Sequence, residues 1–128
     1  MRMVFEKMIL PNAATMDALF APHPDVCIRE IQVQDSAMTV IMEGQIRHYA
    51  VSALQNFICE QFNLHQLTGL VLDFQRVKFI DSQGLAFLIF IYRLCAPKQC
   101  TLSVRGASSN IRGLIEMTRL NTLVKLIQ

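Results

Sequence analysis

Apolar and polar positions alternate along most of the chain in ways that predict short strands and amphipathic helices. Ile28, Ile31 and Val33 mark a strand, Gln34-Asp35-Ser36 a turn, and Met38 to Met42 a second strand ending at Gly44. The turn is short, so the two strands are expected to form an antiparallel hairpin. Tyr49 to His65 reads as a helix. Ala50, Leu54, Phe57, Ile58 and Phe62 share one face, with Ser52, Gln55, Asn56, Glu60 and Asn63 on the other. Gly69 closes the next connection. Leu70-Val71-Leu72 and Phe74 form a near-continuous apolar run, the mark of a strand buried on both faces. Val77, Phe79 and Ile80 continue the apolar content up to Asp81. A helix then runs from Ser82 to about Cys95, apolar nearly all round and so largely buried, until Pro97 stops it.

Thr101 to Val104 is a further strand. Gly106 to Asn110 is a loop in which Ser108 or Ser109 can cap a short helix marked by Ile111, Leu114 and Ile115. Leu123, Val124, Leu126 and Ile127 end the chain as a helical turn or a strand. The order β-β-α-β-α-β-α predicts an α/β fold, a mixed β-sheet with helices packed on it. The first 26 residues read differently. Pro11, Pro22 and Pro24 punctuate them, with a short strand expected at Val4 to Leu10 and a short helix at Ala13 to Phe20. Residues 1–26 are therefore read as an extension and residues 27–128 as a single domain.

Composition narrows the classes of function. Of 128 residues, 52% are hydrophobic and only 17% charged, which favours a packed globule over disorder. The formal charge is +2 and the basic residues are scattered, so no stripe for nucleic acid is present. Cys27, Cys59, Cys95 and Cys100 lack zinc spacing and read as reduced core cysteines, with no metal or cofactor implied. The first ten residues make a poor signal peptide, and the longest apolar stretch, Gly84 to Tyr92, is too short for a membrane span. A cytoplasmic protein without membrane insertion is the expectation. His23, His48 and His65 are not brought by any motif to Ser82 or to a cysteine, so no catalytic residue is assigned.

The segment Val77-Lys78-Phe79-Ile80-Asp81-Ser82-Gln83-Gly84-Leu85 joins a buried strand to a buried helix. Ser82 is expected at or beside the helix N-cap, its hydroxyl accepting a first-turn N–H. Gly84 either lets another chain approach or relieves packing. Capping alone would explain the pair Asp81-Ser82. The same geometry would also tolerate a phosphate on Ser82, because a helix N-terminus favours anions.

These residues resemble the STAS domain, whose best-known members are bacterial anti-sigma-factor antagonists. The likeness runs from Cys27 to the end. It rests on Met42-Glu43-Gly44-Gln45-Ile46, on Leu70-Val71-Leu72-Asp73-Phe74, and above all on the Val77 to Leu85 segment. Leu102-Ser103-Val104, Gly106, Ser108, Ile111 and Leu114 resemble the family's ending. The resemblance implies that Ser82 matches the serine phosphorylated by an anti-sigma factor that is a serine kinase. A metal-dependent serine phosphatase would reverse the reaction. It further implies partner binding around Gly44, Gln45, Arg47, Asp81, Gln83 and Gly84. Two positions depart from the family pattern: Arg47 stands where an Asp is frequent, and Gln83 where Ser or Thr is frequent. Arg47 could pair with a phosphate on Ser82. An alternative is an unswitched STAS subunit of an ABC transporter or another signalling assembly. The oligomeric state is not legible.

Overall fold

The computed structural model describes residues 6–8 and 26–128. Strand β1 (Glu6–Met8) is followed by β2 (Val26–Gln34), β3 (Ala37–Ile46), helix α1 (His48–Leu64), β4 (Gly69–Ile80), α2 (Ser82–Cys95), β5 (Thr101–Arg105), α3 (Ser109–Met117) and β6 (Lys125–Ile127). The strands lie in chain order in one six-stranded sheet. β1–β2 and β2–β3 pair antiparallel, and β3–β4, β4–β5 and β5–β6 parallel. Each helix crosses from one parallel strand to the next, as such pairs require. The mixed α/β sheet expected from the sequence is the observed fold, with an edge strand added on each side.

The predicted hairpin closes across Asp35-Ser36, with Gln34 opposite Ala37 and Asp35 at φ 57°. Asp is among the few residues that enter this left-handed region readily. Glu6–Met8 falls within the strand expected at Val4 to Leu10 and pairs with β2. The helix expected at Ala13 to Phe20 lies outside the described residues. At the other end the last segment takes the strand alternative, as β6, and the 3₁₀ turn lies just before it at Leu120–Thr122.

Register and period-two alternation divide the sheet into two faces. Met38, Val40, Met42, Leu70, Leu72, Phe74, Leu102 and Val104 are buried on one face. With Leu54 and Ile58 of α1 and Phe87, Leu88 and Ile91 of α2 they form a single core. The other face carries Thr39, Ile41, Val71, Asp73, Ser103 and Arg105. Asp73 is only 5% exposed and meets Arg105 of β5, whose Nη2 lies 2.7 Å from Asp73 Oδ2.

One boundary is corrected. Gly44 does not end β3, which runs on to Ile46. Between Gly44 and Gln45 the register slips, because β4 contributes an extra residue, Lys78. Gly44 sits at φ 106°, a conformation open to glycine, and so turns the backbone through the irregularity without breaking the strand.

Cys95 and Cys100 are buried where α2 gives way to β5, and the Cys100 N–H donates to the Cys95 carbonyl at 3.0 Å. Neither is in a disulfide. Burial pushes the Cys95 thiol far above its ordinary value and the neighbouring Cys100 adds to this; burial also raises Cys100. The folded chain therefore keeps both protons where the unfolded chain, ionising near pH 9, releases them. Stability present below that pH falls as pH rises beyond it. Urea midpoints should drop more steeply between about pH 9 and 10 in wild type than in a Cys95→Ala/Cys100→Ala variant. Equal slopes would show that these thiols are not the cause.

Candidate functional site

β3 and β4 are parallel and end side by side, Ile46 opposite Ile80. Open sheets place their functional ends here, beyond the carboxyl ends of parallel strands. Arg47 then leads into α1 and Asp81 into α2. The Asp81 N–H donates to the Ile46 carbonyl at 3.2 Å, which ties the two chain exits together.

Asp81, and not Ser82, caps α2. It has extended backbone, and its Oδ1 accepts the Gly84 N–H at 2.9 Å. Its carbonyl accepts the Leu85 N–H at 3.0 Å. The cap bond expected of the Ser82 hydroxyl is thus made by its neighbour. Asp is as good a cap as Ser, and the residue with non-helical backbone takes the role. Ser82 is the first helical residue, and both it and Gln83 are exposed.

Gly84 faces inward. A Cβ built there would lie 2.3 Å from Ile80 Cγ1 and 2.8 Å from the Ile46 carbonyl oxygen. Of its two expected roles, the structure shows the packing one: the absent side chain lets α2 press on the ends of β3 and β4. Gly84→Ala should cost about 1–3 kcal/mol through overpacking, offset by about 1 kcal/mol of helix propensity. A net loss of stability in urea titration is expected. A stabilised variant would show that the contact relaxes easily.

Gln45, Arg47 and Phe79 meet beside this corner. Arg47 Nε donates to Gln45 Oε1 at 2.5 Å, and Nη2 donates to the same oxygen. The Arg47 guanidinium stands 5.5 Å from the centroid of the Phe79 ring. Gln45 and Phe79 are register partners. In the sequence Phe79 is only part of an apolar run, yet it is 46% exposed. Val77 and Phe79 are two apart and would share a face in a regular strand. The Lys78 irregularity turns Phe79 to the opposite side, and the sequence gives no signal of it.

The structure therefore brings Gln45, Arg47, Asp81, Ser82 and Gln83 to one end of the sheet, with Gly44 and Gly84 shaping the backbone beneath them. His65 ends α1 near the start of β4, at the opposite end of the sheet. It lines a cavity of about 380 Å³ with Ser36, Phe62, Leu67, Thr68 and Lys98. Among the described residues, no helix is long and apolar enough to cross a membrane.

A mixed sheet flanked by helices, with an exposed serine directly after a capping Asp, defines a small α/β domain of the STAS type. The family model described as "Mlab, STAS domain" matches residues 30–127, and the chain belongs to that family. Solved structures share the fold. An anti-sigma factor antagonist from Mycobacterium paratuberculosis matches with a TM-score of 0.71 at 24% identity, covering 81% of this chain and 87% of that one. The antagonist SpoIIAA in its unphosphorylated form matches with a TM-score of 0.67 at 16% identity, covering 77% and 86%. The phosphorylated form of SpoIIAA, a Bacillus cell fate determinant, matches with a TM-score of 0.55 at 20% identity, covering 73% and 84%.

Proposed function

We propose that this chain is a partner-switching module of the anti-sigma-factor-antagonist kind, with the Ser82 corner as its docking surface and Ser82 as its phosphate acceptor. The observation that carries the reading is the exposed Ser82 side chain at the first position of α2, on a bend fixed by Asp81 and Gly84. Because Asp81 makes the cap bond, a phosphate on Ser82 leaves the cap in place. The positive end of the helix offsets part of the added charge. The fold is known in both phosphorylation states of SpoIIAA. Arg47, bonded to Gln45 at the adjacent strand exit, is a cation at the same end of the sheet.

In this reading the chemistry belongs to the partners. An anti-sigma factor with serine kinase activity adds the phosphate, and a metal-dependent serine phosphatase removes it. The site works in the cytoplasm, and Ser82 is substrate and not catalyst. Incubation with a cognate kinase and ATP should phosphorylate Ser82, and Ser82→Ala should abolish the signal in phosphopeptide mapping. Phosphate on any other residue would end the assignment.

The matching family model bears the name Mlab, not that of an antagonist, and this favours a second reading. Here the domain is an unswitched STAS subunit of a larger assembly, such as an ABC transporter, docked through the same corner. Native protein that never carries phosphate and co-purifies with a transporter ATPase would select it.

A further inference from the structure

We propose that the sheet face beside the Ser82 corner, on the side away from α1 and α2, is a separate docking surface for an acidic polypeptide segment carrying an apolar side chain. This surface does not depend on the modification of Ser82.

Phe79 is its centre. Ile46 and Ile80 point into the core, so their neighbours Gln45 and Phe79 point the other way. Arg47 covers one side of the Phe79 ring and is itself held by Gln45, which presents the aromatic side chain in a set orientation. Large side chains held in this way are the usual anchors of protein interfaces.

The surround is cationic. Arg29, which sits in the irregular stretch of β2, lies 3.3 Å from Glu43 Oε1, and Arg76 of β4 lies 3.7 Å from the same oxygen. Both arginines remain more than half exposed. Lys78 is exposed next to Phe79. Arg29 and Arg76 thus share one carboxylate, Glu43, while Arg47 lies over the Phe79 ring and Lys78 is the chain neighbour of Phe79. Glu30, further along β2 toward the sheet centre, is bonded by Gln32 at 2.5 Å. Four of the chain's 12 Lys and Arg residues lie in this region.

Positive charge around an exposed ring complements carboxylates around an apolar anchor. The charged rim would steer such a segment and set its register, and the ring would supply the buried contact. Nucleic acid fits less well. One cation lies over the ring and two share a carboxylate, where a phosphate backbone needs a continuous stripe.

The test is selection of a random peptide display library on the immobilised full chain. Enriched peptides should combine Asp or Glu with Leu, Phe or Trp. A synthetic copy of the strongest should lose about tenfold or more in affinity with Phe79→Ala and with Arg76→Glu. It should also weaken as salt rises from about 0.05 to about 0.5 M, and be unmoved by Ser82→Glu. Both replaced side chains are exposed, and thermal melts by circular dichroism would confirm that the variants fold. No enrichment, a neutral or basic consensus, or full binding by Phe79→Ala would overturn the proposal. Loss of binding in Ser82→Glu alone would move the peptide to the corner, overturning this surface while leaving the switching reading intact. Tighter binding to phosphatidylglycerol vesicles or to single-stranded RNA, lost in Phe79→Ala, would overturn the class of partner.

Discussion

Ser82→Glu should weaken the complex with the docking partner by about a hundredfold, near 2.7 kcal/mol, while leaving the melting temperature close to wild type. Two local facts separate these outcomes. Ser82 is exposed and makes no contact that the core depends on. It also lies in the first turn of α2, where a negative side chain is mildly favourable. Stability should therefore hold or rise slightly. A partner pressed on this corner, by contrast, must strip water from the new carboxylate without offering it a counter-charge, a penalty on the order of several kcal/mol. Ser82→Gln adds similar bulk without charge and should lose much less affinity. Titration calorimetry against the purified partner reads the difference. Equal affinities for wild type and Ser82→Glu would mean that the partner docks elsewhere.

The main elements were legible because the chain keeps strict periods. The stripe of Leu54, Phe57, Ile58 and Phe62 predicts α1, and the dense run from Leu70 to Phe74 predicts β4. Short-range chemistry was legible too, since Ser108 does cap α3, its Oγ accepting the Ile111 N–H at 3.3 Å. What escaped has one kind of cause. Whether Asp81 or Ser82 caps α2 depends on which backbone is non-helical, and both are good capping residues. That Gly44 passes the chain onward, and which way Phe79 turns, depends on two extra residues in β4, one between Asp73 and Arg76 and the other Lys78. Such a slip is fixed by how two distant strands mesh, and period-two alternation within either strand cannot reveal it.

The slip also sets what the site can be. If β4 were regular from Val77 onward, Phe79 would lie on the same side as Val77, which is buried. With Lys78 extruded, the strand re-enters register one residue late. Ile80 then fills the core under Gly84, and Phe79 emerges beside Arg47. The rigid corner and the aromatic surface next to it are thus two consequences of the same irregularity. A Lys78 deletion would disturb both at once, whereas the point substitutions above separate them.

The Asp73–Arg105 pair should prove strongly asymmetric. Register places the two residues opposite each other on β4 and β5. The Asp73 side chain is 8% exposed and that of Arg105 36%. Asp73 Oδ2 accepts Arg105 Nε at 3.1 Å and Nη2 at 2.7 Å, and its Oδ1 accepts the Gln75 N–H at 2.9 Å. Arg105→Ala strands a buried carboxylate with one backbone donor, a loss of about 3–5 kcal/mol for breaking such a pair. That is a large part of the 5–15 kcal/mol or so that holds a typical domain together. Asp73→Ala leaves a guanidinium that already reaches water, so its cost should be nearer 1–2 kcal/mol or so. Asp73→Leu combined with Arg105→Met removes both charges and keeps most of the volume, and should recover much of the loss. Urea midpoints for the two single variants and the double variant measure all three. An Asp73→Ala chain as unstable as Arg105→Ala would show that the guanidinium, and not the carboxylate, is the group that burial makes dependent on its partner.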